Sequence, residues 1–330
     1  MTRKGHQVRP MRAADLRHIE TLIAEYPYKG VQQLAQGFDK GKLSAFYLAG
    51  VRSGLEFGQA LYVLTPAGEE PIALGGLAPN RWHTRMYGFA MGAIRPWLNT
   101  RQPEAGEVLL KQIEVAAQRE RYEHLSVRLD VEDYANLHLF EEAGWRLVDV
   151  SLKFTRPMPA IENADAQATA VRNWVIARAR FEDQGWIRDL AARAHSATHF
   201  FNDPALPREA TERLFAGWMD RCCEGQAYRV YTMKDQEGRP IGFVSYLENR
   251  KLAEATGRRP LILDFVLIDP QWRQAGAAGW LIEQTLAREA REGFDFCELR
   301  TSAHNLPGVR LYERLGMRYC AGDFILHKKP

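Results

Sequence analysis

Apolar residues along this chain keep two rhythms. Short apolar runs bounded by turn residues occur at 60–64, 71–77, 125–129, 228–231, 241–247, 261–268 and 296–300, and these predict strands. Apolar residues three and four apart occupy 14–24, 107–118, 186–195, 209–222 and 280–291, and these predict helices. The expected class is α/β (α+β), a mixed sheet flanked by helices. Residues 156–170, Arg-Pro-Met-Pro-Ala-Ile-Glu-Asn-Ala-Asp-Ala-Gln-Ala-Thr-Ala, keep neither rhythm, and their prolines and small side chains predict a linker. It divides the 330 residues almost in half, with domains expected at 1–156 and 171–330 and the linker at 157–170.

The two halves are related to each other. Displaced by 172 positions without a gap, residues 273–318 match 101–146 at 12 of 46 positions, where average residue usage gives about three. Arg273 and Gln274 fall on Arg101 and Gln102, Leu281 on Leu109, and Gly316 on Gly144. A period of domain size indicates a duplicated domain rather than a solenoid.

Composition narrows the function. Lys and Arg number 44 against 41 Asp and Glu, a net charge of +3, and no basic stripe stands out, so a generic nucleic-acid binder is not expected. Apolar residues at 46% exclude a disordered chain. Cys222, Cys223, Cys297 and Cys320 form no C-x-x-C pair, so reduced thiols and a cytoplasmic location are expected. Residues 1–12 carry no apolar signal segment, and the run 261–268 is too short to span a bilayer and contains Asp264. His195 and His199 have helical spacing but no third ligand and no H-E-x-x-H, so no metal is expected.

The richest segment is Leu261–Trp280. A predicted strand runs into Pro270, and Arg273-Gln274-Ala275-Gly276-Ala277-Ala278 then opens a helix. A small-residue turn there exposes successive backbone N–H groups at the positive end of the helix dipole, an arrangement that binds anions. After the next strand come Asn305 and, seven residues on and so on the same helical face, Tyr312. Gly316 then closes that helix.

Arg-x-x-Gly-x-Ala after a strand, followed by Asn-x6-Tyr-Glu-x-x-Gly, resembles the GNAT superfamily of N-acetyltransferases. The resemblance implies two tandem GNAT domains, each a mixed, mostly antiparallel central sheet flanked by helices. It implies acetyl-CoA as co-substrate, with its pyrophosphate on the turn from Arg273 to Ala278. Asn305 would contact the pantetheine region, Val266, Leu267 and Ile268 would offer backbone groups to the acetyl-pantetheine, and Tyr312 would protonate the departing thiolate. The expected activity is acetyl transfer to a primary amine of a small molecule. The alternatives are a non-catalytic CoA-binding sensor or an acetyltransferase for an amino acid or other small amine.

The first half reads Arg101-Gln-Pro-Glu-Ala-Gly106 at the turn, with Phe140 in place of Tyr312 and Asp133 in place of Asn305. Pro103 lacks an N–H, Glu104 repels phosphate and Phe140 has no proton to give. The first half is therefore expected to be a degenerate domain that completes the fold and helps shape the acceptor site. A narrower resemblance, in Trp82–Phe89, Leu129–Asp149 and Thr198–Glu209, is to TDP-fucosamine (dTDP-4-amino-4,6-dideoxygalactose) acetyltransferase-like enzymes, which implies a nucleotide-linked amino sugar as acceptor. Asp264, expected to share a strand face with Ile262 and Val266, is the candidate general base, against a purely structural Asp. The assembly is expected to be a monomer or homodimer.

Overall fold

The computed structural model describes residues 5–28, 37–66, 69–160, 173–194, 197–273 and 276–330. The chain forms two compact units, one of Met1–Ser151 with Ala321–Pro330 and one of Leu152–Cys320. Their strands and helices follow the same order.

In the first unit β1 (His6–Pro10), β2 (Ala60–Pro66), β3 (Ala73–Pro79) and β4 (Met91–Leu98) are successive antiparallel neighbours. β5 (His124–Asp130) then joins β4 in parallel. α1 (Leu16–Glu25) and α2 (Lys40–Glu56) cover one face, where Ile19, Leu22 and Val51 pack on Leu61, Val63 and Leu74. A short α3 (Arg81–Tyr87) precedes β4. α4 (Gly106–Arg119) and α5 (Tyr134–Glu142) cover the other face, where Leu109, Ile113 and Phe140 meet Leu64, Leu77, Ile94 and Leu125.

The second unit repeats this plan. β7 (Trp174–Arg178), β8 (Arg229–Asp235), β9 (Pro240–Glu248) and β10 (Pro260–Ile268) are antiparallel, and β11 (Phe296–Ser302) joins β10 in parallel. α6 (Gln184–Ala194), a single turn α7 (His199–Asn202) and α8 (Arg208–Arg221) carry Ile187, Leu190, Phe215 and Met219 onto one face. After α9 (Arg250–Thr256), α10 (Ala277–Glu289) and α11 (Leu306–Arg314) carry Leu281, Ile282 and Tyr312 onto the other. At the displacement of 172 residues, β5 falls on β11 and α5 on α11, residue for residue.

Each unit takes its sixth strand from the segment that follows the other unit's last helix. The second is completed by the latter part of β6 (Arg146–Pro157), whose Thr155 Oγ1 donates to Cys297 O of β11 at 3.2 Å. The first is completed by β12 (Arg318–Lys328), antiparallel to β5 from Asp323↔Asp130 to Lys328↔Leu125. Division of the chain in sequence order at 156–170 does not contain this exchange. Pro157 ends β6, and the expected linker from 161 onward lies outside the described residues.

The apolar runs predict β2, β3, β5 and β8 to β11. β1, β4, β6, β7 and β12, and the long helix α2, are not among the predicted elements. In β6 the inward positions Asp149, Ser151 and Lys153 are polar and buried while Leu147 is exposed, which inverts the usual strand signal. β4 is broken by Gly92, Pro96 and a register shift. In α2, Gly41, Gly50 and Gly54 interrupt the apolar stripe.

Candidate active site

β10 carries a bulge at Asp264. Leu263 pairs with Tyr246 and Phe265 with the next residue back, Ser245, so Asp264 is the extra residue. The bulge reverses the alternation of faces. Leu261, Leu263 and Ile268 lie in the core with Tyr312, and Val266 packs against it. Phe265 and Leu267 turn to the α6–α8 face. The expectation that Asp264 shares a face with Val266 is thereby corrected, because one inserted residue shifts the strand's period of two.

Asp264 is half-buried, and its Oδ2 accepts a hydrogen bond from Trp218 Nε1 of α8 at 2.8 Å. Burial, which disfavours the charged carboxylate, pushes its pKa up to about 6, against the smaller opposing effect of the indole hydrogen bond. Trp218 is absent from the sequence-derived site. Only the packing of α8 on β10 brings residues 46 apart in the chain into contact.

Beyond the bulge β10 and β11 part. Their parallel pairing runs from Pro260↔Phe296 to Leu263↔Leu299 and stops there, although the strands continue to Ile268 and Ser302. Main-chain groups of Val266, Leu267 and Ile268 thus border an opening on the β11 side, while β9 pairs with their other edge. At that edge Gly242 is required, since a Cβ there would meet the backbone of Leu267 and Ile268.

The strand ends in a short 3₁₀ turn at Pro270–Trp272, where Asp269 Oδ1 accepts from Gln271 N at 3.2 Å. Arg273 is exposed, with its guanidinium 3.5 Å from Ile268 O. Gln274 and Ala275 lie outside the described residues. Gly276 follows in the left-handed conformation at φ 73°, which favours glycine, and α10 starts at Ala277 with no side-chain cap. Ala277 is buried, Ala278 half-buried and Gly276 exposed. The first backbone N–H groups of α10 therefore sit under very small side chains, with no side-chain oxygen competing for them.

Asn305 caps α11. Its Oδ1 accepts from Gly308 N at 3.2 Å and its Nδ2 donates to Thr301 Oγ1 at 2.9 Å. Tyr312 stands two turns later at 6% exposure, its ring 6.1 Å from that of Phe154. Burial pushes its phenol up to about 12, so it stays protonated at neutral pH. Its hydroxyl has no hydrogen-bond partner among the described residues. Gly316, at φ 72°, closes the helix as expected. The two candidate catalytic groups do not sit side by side: Tyr312 belongs to the α10–α11 face of the sheet and Asp264 to the α6–α8 face. The four cysteines are free, and burial pushes the Cys297 thiol up to about 12, far from thiolate character.

The first unit has these elements with other contents. Asp133 caps α5 as Asn305 caps α11, accepting from Asn136 N at 3.2 Å. Phe140 is fully buried between Trp97 and Trp145, each ring 5.0 Å away. Where β4 parts from β5 after Ile94↔Val127, Trp97 and Asn99 both donate to Asn136 Oδ1, at 2.9 and 2.8 Å. The Asn99 side chain lies against the Cα of Gly106, the first residue of α4. α4 is entered through Ala105 in ordinary helical conformation, and Arg101 is held by Glu25 at 2.7 Å. β4 has a matching bulge, with two residues between Ile94 and Trp97 facing one between Leu77 and Gly75, and these are Arg95 and Pro96 rather than an acid.

Comparison with known proteins agrees with this arrangement. Residues 188–317 match the model of the Acetyltransferase (GNAT) family. The spore coat polysaccharide biosynthesis protein SpsD of Bacillus subtilis (strain 168) is 25% identical over 144 residues, 44% of this chain and 47% of that protein, so the match spans about half of its length. The fold is that of a GCN5-related N-acetyltransferase from Sphaerobacter thermophilus, with TM-score 0.64 at 16% identity over 98% of this chain and 96% of that one. It is also that of a tandem GNAT protein from the clavulanic acid biosynthesis pathway, with TM-score 0.56 at 13% identity over 98% of each chain. Residues 188–317 are thus similar to the GNAT family, and along its length the chain has the fold of tandem GNAT structures.

Proposed function

We propose that the chain is an acetyl-CoA-dependent N-acetyltransferase acting on a primary amine of a small molecule, with its single active site in the second unit. One observation carries this reading: the opening between β10 and β11 lies beside the uncapped start of α10, with a carboxylate on one face and a protonated phenol on the other.

In this reading the N–H groups at Gly276 to Ala278 hold the pyrophosphate, joined by those of Gln274 and Ala275 as the sequence resemblance implies, and Arg273 adds charge. Backbone groups of Val266 to Ile268 hold the pantetheine as an added strand would, and Asn305 borders it. Asp264, directly or through one water, takes a proton from the acceptor's ammonium. The amine nitrogen then bonds to the thioester carbonyl carbon, whose oxygen gains the electron pair. Collapse of that adduct breaks the C–S bond, Tyr312 gives its proton to the leaving sulfur, the remaining extra proton on the new amide nitrogen restores Tyr312 directly or through water, and Asp264 releases its proton to solvent. The products are the amide and free CoA, and the buried thiols take no part.

The acceptor class to test first is a nucleotide-linked amino sugar. The narrower sequence resemblance supports it, and so does a relative whose name places it in polysaccharide biosynthesis. The test is free-thiol release from acetyl-CoA across a panel of TDP-amino sugars, amino acids and simple amines. Acceptor-dependent release, with the acetyl group found on the amine, is expected. Binding of acetyl-CoA without turnover on any amine would favour the sensor reading instead.

A further inference from the structure

The first unit contains a cavity of about 200 Å³ on its α1–α2 face, between those helices and the bulged part of β4. Tyr26, Tyr28 and Tyr47 line it with Ile23, Val51 and Pro96. It occupies the position in this unit that the Asp264 face occupies in the other, since Pro96 stands in the matching bulge.

The same face of the second unit is more densely aromatic. Phe215, Phe265, Trp186 and Trp218 pack together there. In the first unit a half-open hollow lies there instead. Its aromatic wall is made of three tyrosines. Tyr26 and Tyr28 stand edge to face, ring centroids 5.6 Å apart at 86°, so they present two perpendicular sides. The surrounding field is negative: the charges of Asp133 and Asp130 act on both Tyr26 and Tyr28, and Asp323 of β12 acts on Tyr26. Arg101 is held by Glu25, the residue before Tyr26, and Arg128 lies 3.7 Å from Asp323.

We infer that this cavity is a binding site for a small organic cation, an ammonium or quaternary ammonium group carried on a compact apolar body, separate from the acetyl-transfer site. Aromatic faces attract such a cation through their quadrupoles, and the nearby carboxylates add to the attraction. The unit that has lost the acyl-donor parts thus keeps a pocket of its own.

Choline and its uncharged isostere 3,3-dimethylbutan-1-ol distinguish a cation site from a merely apolar hole. In calorimetric titrations of the full chain, choline should bind saturably at one site, roughly tenfold tighter than the alcohol. Tyr47→Phe, which keeps the ring, should retain this preference, and Tyr47→Leu should abolish it while leaving acetyl-CoA binding unchanged. If Tyr47→Leu does not fold by circular dichroism, Val51→Phe, which fills the space, replaces it and should also abolish binding. The inference is overturned by no saturable choline binding, by equal affinity for the two probes, or by a folded Tyr47→Leu or Val51→Phe protein that binds choline as the wild type does.

Discussion

In the proposed reaction Tyr312 and Asp264 are tuned by the same force in the service of opposite tasks. Burial keeps the phenol protonated, with its pKa at about 12, so it has a proton to give. Burial also holds the carboxylate at about 6, so it is ionised yet basic at neutral pH. Tyr312→Phe should lower kcat by roughly a hundredfold or more with the acetyl-CoA Kd unchanged, checked by steady-state kinetics beside a binding titration. Unaltered turnover would remove the assigned role. For Asp264, kcat/KM should rise with pH through about 6, and Asp264→Asn should lose that limb. The sign for stability is opposite. The folded-state pKa lies above the unfolded one, so this group's contribution is greatest below about pH 4 and is lost as pH rises towards 6. Asp264→Asn should therefore raise Tm at pH 8 relative to the wild type while abolishing the pH-dependent activity. A Tm lowered at pH 8 would contradict this account of its burial.

At the level of elements, the bulge in the fourth strand is present in both units but holds different residues, Asp264 in one and Arg95 with Pro96 in the other. The terminal strands matter differently. β12 brings the fully buried Leu326 into the core of the first unit, and Lys328 Nζ donates to Glu114 Oε1 at 2.7 Å. Removing a strand strips the neighbouring strand of main-chain partners and exposes apolar surface. Deletion of residues 321–330 should therefore unfold the first unit, seen as loss of the cooperative melt and gain of dye-binding apolar surface. A fragment of residues 1–156 should fail in the same way, although the sequence divides there. Native-like melting of that fragment would show β12 to be dispensable.

For the whole molecule, the proposal that a duplicated domain lost its site in the first half accounts for the different contents of the two units. The first unit's counterpart of the β10–β11 opening is occupied by Trp97, Asn99 and Asn136, and its turn lacks the left-handed glycine. Acetyl-CoA should accordingly bind with a stoichiometry of one per chain, measured by calorimetry. A value of two would restore function to the first unit.

The sequence alone determined a great deal here. Strand and helix periods, the 172-residue repeat, the Gly276 turn and the Asn305–Tyr312 spacing are all local or near-local, and each is written in residue types whose backbone or side-chain chemistry allows few alternatives. The tertiary structure decided what depends on contact across the chain. It set which face Asp264 takes after the bulge, that Trp218 donates to it, that β10 and β11 part after Leu263, and that the last strand completes the first unit. A one-residue bulge leaves no mark in hydrophobic period when both neighbours are apolar and both faces are covered. An exchanged strand has the same composition as one that stays at home, so only packing reveals either.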